Sequence, residues 1–81
     1  MWNEQKDALH RSFVFQSFSK AVHFVNDVAG VSEQHHHHPK ITIDYTHVVL
    51  SLNTHDAGNI VTDKDRLLAA AIDQVYQEYS L

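Results

Sequence analysis

Two short stretches of this chain carry the side chains best suited to moving protons. The first is "EQHHHHPKI", residues 33 to 41, with four consecutive histidines before the only proline. The second is "NTHDAG", residues 53 to 58, where His55 stands between Thr54 and Asp56. Imidazole is the side chain whose ordinary pKa suits both giving and taking a proton near neutrality. The histidine run has several readings. An engineered tag belongs at a terminus, whereas this run lies in mid-chain between a helical and a β-prone segment. A metal clasp is limited by geometry, because neighbours on extended backbone point to opposite faces. Only a pair such as His36 and His38 would reach one ion. Zinc asks for three or four ligands, and no cysteine or HExxH pattern supplies the rest, so no native metal site is expected. An acid–base site requires the fold to bring His55 to the first cluster. Solvated loop histidines are the plain alternative.

The elements that would position these residues can be read from periodicity. "SFVFQ", residues 12 to 16, alternates and is rich in aromatic and β-branched residues, which reads as a strand. Ser17 follows as an N-cap. Phe18, Ala21, Val22, Val25, Val28 and Ala29 then recur at helical spacing, as an amphipathic helix does. Gly30 is a natural stop, although the polar tail to Gln34 could continue the helix. After Pro39, Ile41, Ile43 and Tyr45 alternate with Thr42 and Asp44, and "HVVLSLNT", residues 47 to 54, is strongly β-prone. The two runs imply an antiparallel hairpin turning near Tyr45 and Thr46. Such a hairpin returns residues 53 to 55 beside His37 and His38. "HDAGN", residues 55 to 59, reads as a loop. Thr62 and Asp65 resemble a capping box, with aspartate in place of the usual glutamate. Leu68, Ala71, Ile72, Val75, Tyr76 and Tyr79 form the apolar stripe of a second helix. With a short strand near Trp2, the expectation is an α+β fold. It would be one domain over residues 1–81, with a small antiparallel sheet of three to four strands and two helices on one face. Phe13, Phe15 and Phe18 are expected in the core.

Bulk properties narrow the function classes. A chain of 81 residues buries a marginal core, and without cysteine it has no disulfide or thiolate zinc to support it. Self-association is a natural support. The formal net charge is −4 with histidines neutral, and no basic patch suggests direct nucleic-acid binding. No apolar run approaches the roughly 20 residues that span a bilayer. The opening "MWNEQKDALHR" lacks the apolar segment of a signal peptide, so a cytoplasmic protein is expected.

Taken together, Glu33, His37-His38-Pro39, Tyr45, Thr54-His55 and Thr62-x-x-Asp65 resemble the signature of the pterin-4a-carbinolamine dehydratases. "FVFQSF", residues 13 to 18, with Ala21 after it, resembles the family's strand and helix start, so the likeness covers nearly the whole chain. Ile41 departs from it, standing where relatives often carry a large aromatic that would stack on a pterin ring. The resemblance implies a dehydratase that removes water from a 4a-hydroxytetrahydropterin to give the quinonoid dihydropterin, with no metal or organic cofactor. It implies His37, His38 and His55 as catalytic residues, with His37 and His55 as the proton-transfer pair and His38 mainly binding substrate. His36, Asn53, Thr54 and Asp56 would join them in lining the pterin site, and Glu33 and Asp65 would orient the imidazoles. His35 has no counterpart, and His10, His23 and His47 fall outside the motif. A homodimer or homotetramer is implied. A non-catalytic dimerisation or assembly module of the same fold, acting on a protein partner, is the alternative.

Overall fold

The computed structural model describes residues 1–79. Four strands and two helices follow the order β1 (Asn3–Gln5), β2 (Ala8–Val14), α1 (Phe18–His35), β3 (Lys40–Asp44), β4 (His47–Leu52) and α2 (Asp63–Gln77). The strands form one antiparallel sheet in the order β1-β2-β4-β3, and both helices cover one face. This is the α+β architecture that the sequence implies.

Alternation in the strands sorts their side chains by face. Leu9, Phe13, Val48, Leu50 and Leu52 point to the helices and are buried. They meet Ala21, Phe24 and Val28 of α1 and Leu68, Ala69 and Ile72 of α2. Phe13, Phe15, Phe24, Tyr76 and Tyr79 make edge-on or tilted ring pairs, with centroids 4.8 to 5.7 Å apart. Beside this ring cluster Asp73 accepts hydrogen bonds from Trp2 and Arg11, at 2.8 and 2.6 Å, and so ties β2 and the residue before β1 to α2.

Three expectations are corrected. The second strand runs over residues 8–14 and not 12–16, because it pairs on both sides, with β1 and with β4. Phe15 lies beyond it, held by its N–H donating to the Thr46 carbonyl at 2.9 Å. Of the predicted α1 stripe, Ala21 and Val28 are buried and Val25 is partly buried, joined by Phe24 and Ser32, whereas Phe18, Val22 and Ala29 are exposed. Phe18 is 52 % exposed, so it is not core. The apolar arc of this helix is wider than the core can cover, and only packing decides which part of it is inside. It also runs straight through Gly30. The chain stops at His36, which takes a left-handed conformation (φ 52°) and donates its N–H to the carbonyls of Ser32 and Glu33.

Both hairpins are tight. Gln5 pairs with Ala8 around Lys6 and Asp7, which both have positive φ, the backbone of a two-residue turn that matches strand twist. Asp44 pairs with His47 around Tyr45 (φ 54°) and Thr46, so the second turn falls where the sequence puts it. That register matters for the site. Lys40 pairs with Ser51 where the ladder ends, so the chain before Pro39 and the chain after Leu52 leave the hairpin side by side, and His37 and Thr54 both reach Asp65.

Candidate active site

The end of the sheet farthest from the Tyr45 turn gathers the histidines. His36 ends α1 in a left-handed bend, and this bend swings His37 and His38 back toward β4. After β4 the chain forms a short 3₁₀ turn, His55–Ala57, closed by Gly58 at φ 92°. The Thr54 N–H donates to the Ile60 carbonyl at 2.8 Å, which cinches the loop and holds His55 at its mouth. Gly58 suits this position because a side chain would be strained there.

Asp65 is the hub. It lies in the first turn of α2, is fully buried, and has both oxygens occupied. Its Oδ1 accepts from His37 Nε2 at 2.5 Å. Its Oδ2 accepts from the Thr54 hydroxyl and the Thr62 N–H, each at 2.8 Å. The Thr62 hydroxyl stands 2.6 Å from that of Thr54, so with Thr54 donating to Asp65, Thr62 donates to Thr54. Burial alone would raise the Asp65 carboxyl. The hydrogen bonds from His37, the Thr62 N–H and Thr54, together with the charge on His37, outweigh it and hold the group below its usual value. One carboxylate therefore caps α2, anchors the end of β4 and fixes the ring of His37.

The other imidazoles are held more loosely. His38 Nε2 stands 3.1 Å from Glu33 Oε1 in solvent. His55 Nδ1 stands 2.9 Å from Asn59 Oδ1. With Nδ1–H donating to that oxygen, Nε2 of His55 is left with a free lone pair.

A cavity of about 280 Å³ is lined by His36, His37, His38, Asn53, Thr54, His55, Asp56 and Lys64. It collects every residue singled out as catalytic or substrate-lining, while Glu33 and Asp65 stand behind His38 and His37. His35 is exposed and does not line it, and neither does Ile41 on the edge strand. Among the described residues no three histidine, aspartate or glutamate side chains are grouped to hold a metal ion. Lys64 was missed by the sequence reading. Its signal was available: position 64 lies in the first turn of the helix whose cap, Thr62 to Asp65, was already assigned to the site.

With this geometry in hand, three comparisons define the class. The sequence profile of the pterin 4 alpha carbinolamine dehydratase family matches residues 1–75. The chain belongs to that family. It is 47 % identical over 74 residues to a protein of Thermomicrobium roseum, covering 91 % of this chain and 78 % of the relative. A protein of Chloroflexus aurantiacus is 45 % identical with the same coverage, and both are provisionally named pterin-4-alpha-carbinolamine dehydratases. The crystal structure of a transcriptional coactivator/pterin dehydratase from Brucella melitensis superposes with a TM-score of 0.85 at 33 % identity, covering 91 % of this chain and 80 % of that one. A pterin dehydratase-like protein described as a RuBisCO assembly factor in the alpha-carboxysome gives 0.76 at 30 % identity, covering 91 % and 87 %.

Proposed function

We propose that this chain is a 4a-hydroxytetrahydropterin dehydratase that works by histidine acid–base catalysis. The observation that carries the reading is the convergence of His36, His37, His38 and His55 on one cavity, with His37 backed by a buried carboxylate. In the reaction a proton reaches the departing 4a-hydroxyl, the C4a–O bond breaks, N5 gives up its proton, and a C4a=N5 double bond forms. Water and the quinonoid dihydropterin leave. Protons balance, and the chemistry itself asks for no metal or organic cofactor.

The hydrogen bonds support the following roles. His37 keeps Nε2 on Asp65, which leaves Nδ1 for substrate, and the carboxylate compensates the ring's charge when it holds two protons. His37 is the general acid toward the 4a-hydroxyl. His55, with Nε2 free, is the base toward N5. His38 binds substrate, and His36, Asn53, Thr54 and Asp56 complete the lining. Two imidazoles used in this way contribute roughly 10²–10⁴-fold each. In the cell the reaction would serve tetrahydrobiopterin recycling in the cytoplasm.

The test is a stopped-flow assay on a 4a-carbinolamine generated in place by an aromatic amino acid hydroxylase. Acceleration over the spontaneous reaction at micromolar protein is expected, and none would end the enzyme reading. A second reading, an assembly or dimerisation module, draws on the description of the carboxysomal neighbour and on the edge strand β3. All five residues of β3 are exposed, and its Ile41 and Ile43 leave apolar surface along this edge. Pairing along β3 would also supply the homodimer or homotetramer that a chain of this size favours. A His55→Ala variant that keeps its protein partner but loses turnover separates the two readings.

A further inference from the structure

Beside the histidine cavity lies a second one of about 420 Å³, lined by Thr54, Asp56, Ala57, Thr62, Asp63 and Lys64. The two share Thr54, Asp56 and Lys64, so they adjoin between the end of the sheet and the first turn of α2. The charges in the second cavity are uncommitted. Among the described residues, no hydrogen bond or ion pair holds the side chain of Asp56, Asp63 or Lys64. A separate cleft of about 380 Å³ beneath Trp2 differs in this respect. There Arg66 is bound to Glu4, and Asp73 to Arg11 and Trp2.

We propose that the second cavity reads the 2-amino-4-oxo edge of the substrate's pyrimidine ring. Lys64 donates to the O4 carbonyl, and Asp63, with Asp56 beside it, accepts from N3–H and the 2-amino group. The inference rests on the histidine cavity being the proton-transfer site for a reduced pterin. In such a substrate C4, which carries O4, is bonded directly to the reacting carbon C4a. With C4a toward His37 and N5 toward His55, the proposed pose sets O4 toward Lys64, which lines both cavities. Beyond it the ring presents two adjacent N–H donors, the pattern that a carboxylate accepts in parallel. A cavity with one ammonium and two carboxylates matches an edge of one acceptor and two donors. The small side chain of Ala57 leaves room for a flat ring.

The test compares an unreactive 7,8-dihydropterin with its 2-oxo counterpart, a dihydrolumazine in which a carbonyl replaces the amino group. Both are titrated calorimetrically, and turnover of the carbinolamine is followed in parallel. The wild-type protein should bind the pterin about tenfold more tightly, the low end of a charged hydrogen bond's contribution. Asp63→Asn should shrink that ratio. Lys64→Met should raise KM about tenfold with kcat nearly unchanged, and Lys64→Arg should regain most of the loss. Ala57→Phe, which fills the second cavity, should weaken both ligands while circular dichroism shows the fold intact. Equal wild-type affinity for the two ligands, or an unchanged KM in Lys64→Met, overturns the proposal. So does an Ala57→Phe protein whose affinity tracks the substituent at C6 and not that at C2. Turnover with equal ligand affinity removes only this inference, whereas absence of both turnover and pterin binding removes the dehydratase reading and this inference with it.

Discussion

Two imidazole–carboxylate pairs stand side by side at the end of α1, and they differ in almost everything but chemistry. His37 and Asp65 meet at 2.5 Å, with their side chains 11 % and 0 % exposed. His38 and Glu33 meet at 3.1 Å, with 62 % and 77 % exposed. The first pair is over-determined. Asp65 cannot move without disturbing the cap of α2 and the end of β4, so the His37 ring is held at fixed height and tilt. The second pair is a solvated contact between residues five apart, and such pairs contribute little. The His37 ring is preorganised, whereas the His38 ring is free to adapt.

The sharpest way to break this contrast is to remove each ring in turn. His37→Ala and His55→Ala should each lower kcat by roughly 10²–10⁴-fold. His38→Ala should act mainly on KM, by about tenfold. Equal losses in kcat from His37→Ala and His38→Ala would erase the distinction between the pairs.

Stability gives the next largest difference. Asp65→Ala strands the Thr54 hydroxyl, the Thr62 N–H and His37 Nε2, and should cost about 1–3 kcal/mol in urea unfolding. Glu33→Ala should change stability by less than about 1 kcal/mol. Comparable midpoints for the two variants would show that Asp65 is not the hub.

Acid titration sharpens the same point. The folded-state value of Asp65 lies below its unfolded value of 3.8, so its contribution is complete above that pH and is lost as pH falls through the folded value. Asp65→Asn should therefore be less stable than wild type at neutral pH, with the gap narrowing in acid. A gap that stays constant down to the acid transition would contradict the assignment.

The smallest effect is expected at the far end of the helix pair. Tyr79 donates to Asp27, and burial followed by that hydrogen bond pushes its phenol up to about 12. A raised value means the contribution is complete below the unfolded value of 10.0 and fades as pH climbs toward about 12. Tyr79→Phe should remove the alkaline part of the stability profile while leaving turnover unchanged. Loss of turnover in this variant would tie the helix ends to the site.

Much of this could be read in advance, and the parts that could not share a cause. Period-two alternation around Tyr45 and Thr46 fixed the hairpin, and with it the nearness of His37 and His38 to Asn53, Thr54 and His55. The β1–β2 turn at Lys6 and Asp7 was invisible because neither residue is the glycine or asparagine that usually marks positive φ. The centre of the α1 face, Ala21 and Val28, was legible, but its edges were not, because Phe18, Val22 and Ala29 keep helical spacing with them as faithfully as Phe24 does. Lys64 was overlooked because a lysine in a helix's first turn ordinarily faces water.

Local spacing alone determined the helices, the hairpin and the kinds of side chain able to exchange protons, since these depend on residues a few positions apart. Tertiary structure decided which part of the α1 apolar arc is buried, and which carboxylate serves which imidazole across 28 positions of chain. It also decided that Lys64 joins two cavities. Those outcomes depend on how elements dock, and docking is governed by the summed fit of many side chains, which no short window of sequence contains.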